Sequence, residues 1–345
     1  MEKGKRKKIL YYIYLLLIFA PCLEIALRVL QYEPYRQEEF HINSSPSQCL
    51  IPHPYLGFAL NPGSFEVQIN QARPYKVTHG SDSLRISHPA ILPDSLEKIF
   101  LLGCSYTYGM GVDDEDSFAY LLQTAFPTYH IKNFGVPGFG NVQSYLQLEA
   151  EIKKGNVPKI VILNLVDFHL DRNVLTPDYR KNLQLGFARS SEEIKNQMKP
   201  GRIPFILSNK GELIFKWESW DSVYQNWRGR EDWASVNLFQ SLADKWERDN
   251  MQPIDQSLQL YKAFQDLCEK NGIHFCISNL RANKKSEELL EAISGIGIDT
   301  LEMGLDLLST DFSSLPEDSH PNSSAHRHYF QKISSYLRKI SPTRE

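Results

Sequence analysis

The sequence predicts an α/β protein, a three-layer α/β/α arrangement in which a parallel sheet of five strands carries helices on both faces. Three observations support this. Apolar runs of strand length alternate with segments of helical spacing from residue 98 onward; the run KIVILNLV at 159–166 reads as a fully buried strand; and the helix stop Asn271-Gly272 stands directly before another strand. Composition agrees, since 42% of the 345 residues are hydrophobic and 23% charged, which excludes extended disorder. The net charge of -3, with no basic stripe beyond the first eight residues, excludes a nucleic-acid partner.

At the start of the chain, Lys3, Lys5, Arg6, Lys7 and Lys8 precede an apolar, tyrosine-containing run over 9–23 that continues through Glu24 and Arg28 to Leu30. A run of that length behind a basic cluster predicts a single transmembrane helix over 1–30, with a cytoplasmic tail and an extracytoplasmic body. Glu24 and Arg28, four apart, are expected to pair on one helix face at the interface. The alternative is a cleaved signal peptide, which Pro21 beside Ala20 disfavours. Residues 31–97, rich in Pro, Ser, Asn and His, read as a linker and edge segment with short alternating strands such as 65–69. His53, His79 and His88 are isolated there, and no chemistry rises above background.

The α/β body follows at 98–340. A strand at 99–102 runs into Gly103-Cys104-Ser105, a tight turn that presents a serine. A helix at 116–126, a strand at 129–134, a glycine-rich turn at 135–140 and a helix at 142–153 come next. After the strand at 159–166, the rhythm resumes with a helix at 257–270, a strand at 273–280, a helix at 286–294, a short strand at 298–301 and a closing helix at 324–340. Ligands of such folds bind beyond the carboxyl ends of the strands, where Ser105, Gly138 and residues 167–173 converge. Between 176 and 253 the alternation stops, and all five tryptophans fall there: Trp217, Trp220, Trp227, Trp233 and Trp246. This insertion reads as a helical subdomain with its own core, as a lid on which Trp220 and Trp227 hold substrate, or as an interfacial aromatic belt.

A serine hydroxyl becomes a nucleophile only when a base takes its proton, and the base needs an acid to orient it. The segment Glu317-Asp318-Ser319-His320-Pro321-Asn322 supplies His320 as base, with Asp318 or Glu317 as acid. His326 and His328 match no metal-ligand spacing with His320, so neither metal nor other cofactor is implied. Cys49, Cys268 and Cys276 could form a disulfide, but the sequence selects no pair.

With these blocks in place the chain resembles the SGNH/GDSL hydrolase family over about 98–174 and 254–340, and within it the membrane-anchored bacterial-type subgroup. Gly103-Cys104-Ser105-Tyr106-Thr107 is similar to the first block, with cysteine in place of the usual aspartate. Asn133-Phe134-Gly135-Val136-Pro137-Gly138 is similar to the second, and Glu317 to Asn322 to the last. The resemblance implies a flavodoxin-like sheet and a serine esterase with a Ser105, His320 and Asp318 triad. Its oxyanion donors would be the amides of Ser105 and Gly138. The third block lacks its usual asparagine, a loss worth about 3 kcal/mol of transition-state stabilisation; His169 or Asn164 is the expected replacement. The implied substrate is an O-acylated envelope glycan or lipid. An O-acyltransferase, or a catalytically silent glycan-binding protein on the same fold, is the alternative.

Overall fold

The computed structural model describes residues 2–37, 41–90, 92–209 and 211–340. The chain divides into two compact units, Met1–Glu39 with Tyr224–Met251, and Phe40–Val223 with Gln252–Glu345.

In the larger unit the strands β1 (Glu97–Leu102), β2 (Tyr129–Asn133), β3 (Ile160–Leu165), β4 (His274–Arg281) and β5 (Asp299–Leu305) form one parallel sheet in the order β5-β4-β3-β1-β2. Parallel strands covered on both faces must be apolar throughout, and Ile99, Phe100, Leu101 and Leu102 are each fully buried. Five helices supply the covers: α1 (Phe118–Ala125), α2 (Asn141–Lys153), α3 (Pro253–Lys270), α4 (Lys284–Gly295) and α5 (Ser323–Ile340). Phe118 and Leu122 of α1 and Tyr329, Ile333 and Leu337 of α5 share a core with Ile99, Leu101 and Ile162. On α3, Phe264 stacks on Phe275 of β4 and meets Tyr145 of α2 edge-on. The expected helix at 116–126 begins at Phe118 because the Ser117 hydroxyl caps it, accepting the Tyr120 amide. The strand order reverses between β1 and β3, and that switch point opens a crevice at their carboxyl ends.

Before β1, strands Ile42–Ser45, Gly63–Ile69 and Tyr75–His79 form an antiparallel sheet, and Leu50–His53 pairs with Gly57–Leu60. Backbone bridges from His79 to Arg85 and from Arg85 to Asn133 attach this sheet to the edge at β2. The insertion contributes helices Pro177–Arg189 and Glu192–Met198 and a hairpin, Arg202–Asn209 with Glu212–Ser219, to the larger unit. Its helix Ala234–Asn250 belongs to the smaller unit. All five cysteines are free thiols.

The transmembrane anchor is not found. Residues Glu2–Val29 are helical, but among the described residues no helix is long and apolar enough to cross a membrane. The uninterrupted run over 9–23 spans only about 22 Å at 1.5 Å per residue, against about 30 Å of hydrocarbon. Glu24, expected at a membrane interface, is buried instead within the smaller unit. It accepts the Ala234 and Ser235 amides (2.9 and 3.0 Å) and the Ser235 hydroxyl, capping the helix Ala234–Asn250, and pairs with Arg28 at 2.8 Å. The single-pass topology, the membrane partner, the extracytoplasmic placement and the membrane-anchored subgroup all depended on that span and are withdrawn with it.

Burial alone would push the Glu24 carboxyl up, but its bonds to Ser235, Ala234 and Arg28 hold it down at about 2. A carboxylate with a depressed pKa contributes stability above its unfolded value of 4.5 and loses it as pH falls through about 2. The difference in Ala234 and Ser235 amide protection between wild type and Glu24→Gln, read by hydrogen exchange, is therefore expected above pH 4.5 and should vanish near pH 2. A difference independent of pH would remove the charge from this cap.

Candidate active site

At the end of β1 the chain turns through Gly103 into a single helical turn, Ser105–Tyr108, with Cys104 at its N-cap and Gly109 closing it at φ +90°. Glycine is required at 103: a Cβ there would lie 2.2 Å from Thr107 Oγ1 and 3.1 Å from the Asn164 carbonyl. The second block closes against this turn. A Cβ on Gly135 would lie 2.3 Å from the Tyr108 nitrogen, and Asn133 Nδ2 donates to the Thr107 carbonyl at 3.0 Å.

The carbonyls at the far end of the turn are gathered by Arg85, a fully buried side chain. Its guanidinium donates to the carbonyls of Tyr108, Gly109 and Val112 at 2.9, 2.5 and 2.8 Å, and to Asp114 Oδ1 at 2.9 Å. His79, from the segment expected to carry no chemistry, donates through Nδ1 to the Asn61 carbonyl and accepts the Tyr108 hydroxyl through Nε2 at 2.8 Å. Neither residue announces itself in sequence, because each acts on backbone or side-chain groups about thirty positions away or less, in irregular chain.

The structure brings Ser105, His320 and Asp318 together. Ser105 Oγ lies 3.0 Å from His320 Nε2, and His320 Nδ1 lies 2.6 Å from Asp318 Oδ1. Asp318 Oδ1 also accepts the His320 amide at 3.1 Å, and its side chain is 2% exposed. Glu317 is exposed and offers its backbone carbonyl to Asn70, so the acid on the histidine is Asp318. Gly111, at φ +95°, lets the chain pass Asp318: a Cβ there would be 3.2 Å from Oδ2. The Tyr106 ring meets the His320 ring edge-on at 5.4 Å. Burial pushes the neighbouring Cys104 thiol up, so it stays protonated beside the serine.

Ser105 and His320 open into a cavity of about 490 Å³ that Gly138 also lines. Its apolar wall includes Leu50 and Phe58 from the segment before β1, Leu183, Ile194 and Met198 from the insertion, and Trp220. Trp220 is 3% exposed, packing against Phe58 and Phe187. Trp227 belongs to the smaller unit and is 49% exposed.

His169 and Asn164 are not among the residues lining the cavity. Asn164 sits inside β3, its Nδ2 on the Leu102 carbonyl at 3.2 Å and its Oδ1 accepting Ser278 Oγ at 2.8 Å, so its amide is spent on the sheet. His169 is fully buried, and Nδ1 accepts the Val166 amide and Asn141 Nδ2. Burial, with Arg172 adding, pushes its pKa well below the usual histidine value, so it is neutral with its proton on Nε2. The cavity residue of the third block is instead Arg172, which sequence spacing did not single out.

His326 is likewise structural. Its Nδ1 accepts the Phe118 amide at 3.2 Å, its ring stacks on Phe118, and burial, with Arg85 and His320 adding, pushes its pKa to about 3. Among the described residues no group of three His, Cys, Asp or Glu side chains could hold a metal ion.

No family model matches the sequence, and no curated protein does. Similarity is found among solved structures, at low identity. A G-D-S-L family protein from Desulfitobacterium hafniense DCB-2 aligns at 13% identity with a TM-score of 0.39, over 70% of this chain and 99% of its own. TesA aligns at 10% identity with a TM-score of 0.39, over 71% and 99%. The SGNH-hydrolase family esterase AlinE4 aligns at 13% with a TM-score of 0.33, over 74% and 100%. With likeness this distant, the chemistry rests on the chain's own residues.

Removing Arg85 would leave Asp114 and the Val112 carbonyl without their partner, while the Tyr108 and Gly109 carbonyls keep Asn133 Nδ2 and the Val112 amide; breaking such a buried ion pair costs about 3–5 kcal/mol. Arg85→Met is expected to lose that much stability in urea titration, and Arg85→Lys to recover only part of it, since one ammonium cannot reach all four acceptors. Full stability in Arg85→Met would show that the turn holds without this clamp.

Proposed function

We propose that the protein is a serine esterase acting through Ser105, His320 and Asp318. The observation that carries this is the unbroken chain from Ser105 Oγ through His320 to Asp318, at 3.0 and 2.6 Å, opening on a cavity at the sheet's switch point. In this reading His320 Nε2 takes the serine proton as Oγ attacks an ester carbonyl. Asp318 holds the Nδ1 proton and balances the imidazolium that forms. The tetrahedral oxyanion is received by the amides of Ser105 and Gly138, neither of which has a hydrogen-bond acceptor among the described residues. Collapse expels the alcohol, which leaves with the proton from His320, and water repeats the cycle on the acyl-enzyme. Where a second alcohol takes the place of that water, the same site performs acyl transfer.

The cavity wall bears on the substrate. Leu183, Ile194, Met198, Phe58 and Trp220 offer little to a polar sugar and much to a hydrocarbon chain. Of glycan and lipid esters, this favours an ester with an extended acyl group.

Ser105→Ala is expected to lower hydrolysis of para-nitrophenyl esters by roughly a thousandfold or more and to abolish fluorophosphonate labelling, with the melting temperature nearly unchanged. His320→Ala should do the same, and Asp318→Asn should cost far more than Glu317→Gln. Labelling that survives in Ser105→Ala would assign another nucleophile, whereas an unlabelled wild type would favour a binding protein on this fold.

The wall itself is tested by chain length. Trp220→Ala is expected to change the ratio of kcat/KM for octanoyl over acetyl esters by about tenfold, equivalent to ~1.4 kcal/mol. An unchanged ratio in Trp220→Ala would take the acyl chain out of this cavity.

A further inference from the structure

Arg172 is the one lysine or arginine among the described residues lining the cavity over Ser105. Its guanidinium is held in place from several sides. Nη1 donates to the Phe139 carbonyl at 2.7 Å, and the charge lies 4.2 Å from the Phe168 ring centre and 5.6 Å from that of Tyr179. Tyr179 is itself fixed by donating to the Gly138 carbonyl at 2.8 Å. Gly140 makes room for the side chain, since a Cβ there would lie 2.8 Å from Arg172 Cβ.

What this cation lacks is an anion. No carboxylate pairs with it among the described residues: Asp167 faces Arg281 at 3.7 Å, and Asp171 faces Lys285 at 4.0 Å. A guanidinium has five N–H donors, and one hydrogen bond is made here. A preorganised, unpaired cation beside apolar walls is costly to maintain and is ready to receive a charged group, with two parallel N–H bonds to offer a carboxylate or phosphate.

We infer that the substrate carries an anionic oxygen group, a carboxylate or a phosphate, which Arg172 binds while Ser105 attacks the ester. The inference rests on the esterase reading above. It makes Arg172 a specificity residue and narrows the substrate to acyl esters charged at one end, such as a half-ester of a dicarboxylic acid or an ester whose alcohol bears a phosphate.

Two matched pairs of esters test this on the full chain, with fluorophosphonate labelling of Ser105 run alongside. One pair is mono-para-nitrophenyl glutarate against para-nitrophenyl pentanoate; the other is 4-acetoxyphenyl phosphate against 4-acetoxyanisole. Wild type is expected to prefer the anionic member of at least one pair by about tenfold in kcat/KM, less at high salt. Which pair responds tells carboxylate on the acyl side from phosphate on the leaving side. Arg172→Gln should erase the preference, and Arg172→Lys should retain part of it. Absence of any preference in wild type, with Ser105 labelled normally, overturns the inference and leaves the esterase standing. An equal loss on charged and neutral esters in Arg172→Gln also overturns it, since the guanidinium would then be serving the transition state. Failure of labelling and of all hydrolysis removes the esterase and this inference together.

Discussion

The buried contact on which the site depends is the one between Arg85 and the carbonyls of Tyr108, Gly109 and Val112. A one-turn helix is too short to hold itself, since the cost of starting a helix is recovered only over several turns. Ser105–Tyr108 persists because carbonyls at its end and just beyond it are received by a fully buried guanidinium whose charge is balanced by Asp114. The same residue bridges by its backbone to His79 and to Asn133, so the antiparallel sheet, the sheet edge at β2 and the serine turn meet at one side chain.

How much of this could be read from sequence varies with the range of the interaction. The strands of the sheet were legible because burial on both faces leaves continuous apolar runs, as in Ile160–Leu165. Ser105, Gly138, Asp318 and His320 were legible because each sits in a short local pattern. Arg85, His79 and the cavity residues Leu50 and Phe58 were not, because their partners lie elsewhere in the chain and their segment shows neither helical nor strand periodicity for long. Spacing alone also led to Asn164 and His169, but burial turned both inward, while Arg172, three positions past His169, reaches the cavity. At the start of the chain an apolar run behind a basic cluster suggested a membrane span, yet Glu24 is committed to the helix at Ala234.

Four histidines lie in or around the site, and their surroundings divide them. His79, His169 and His326 are buried with pKa values pushed down, and each accepts a hydrogen bond that fixes one tautomer. They hold structure and carry no charge. His320 differs in lying between a carboxylate and a hydroxyl, partly open to the cavity. Apolar surroundings thus keep three of the imidazoles neutral, and of the four it is His320 that meets both Ser105 and Asp318.

The order in which the chain contributes to the site also matters for synthesis. The antiparallel strands, Arg85 and the serine turn lie in the first third of the sequence, whereas His320 lies 215 residues after Ser105. A nascent chain therefore carries the residues of the clamp and of the serine turn long before residue 320 is made. Under the esterase reading proposed above, the hydroxyl meets its base only when Asp318–Pro321 and the helix behind it dock, so an unfinished product would be chemically quiet.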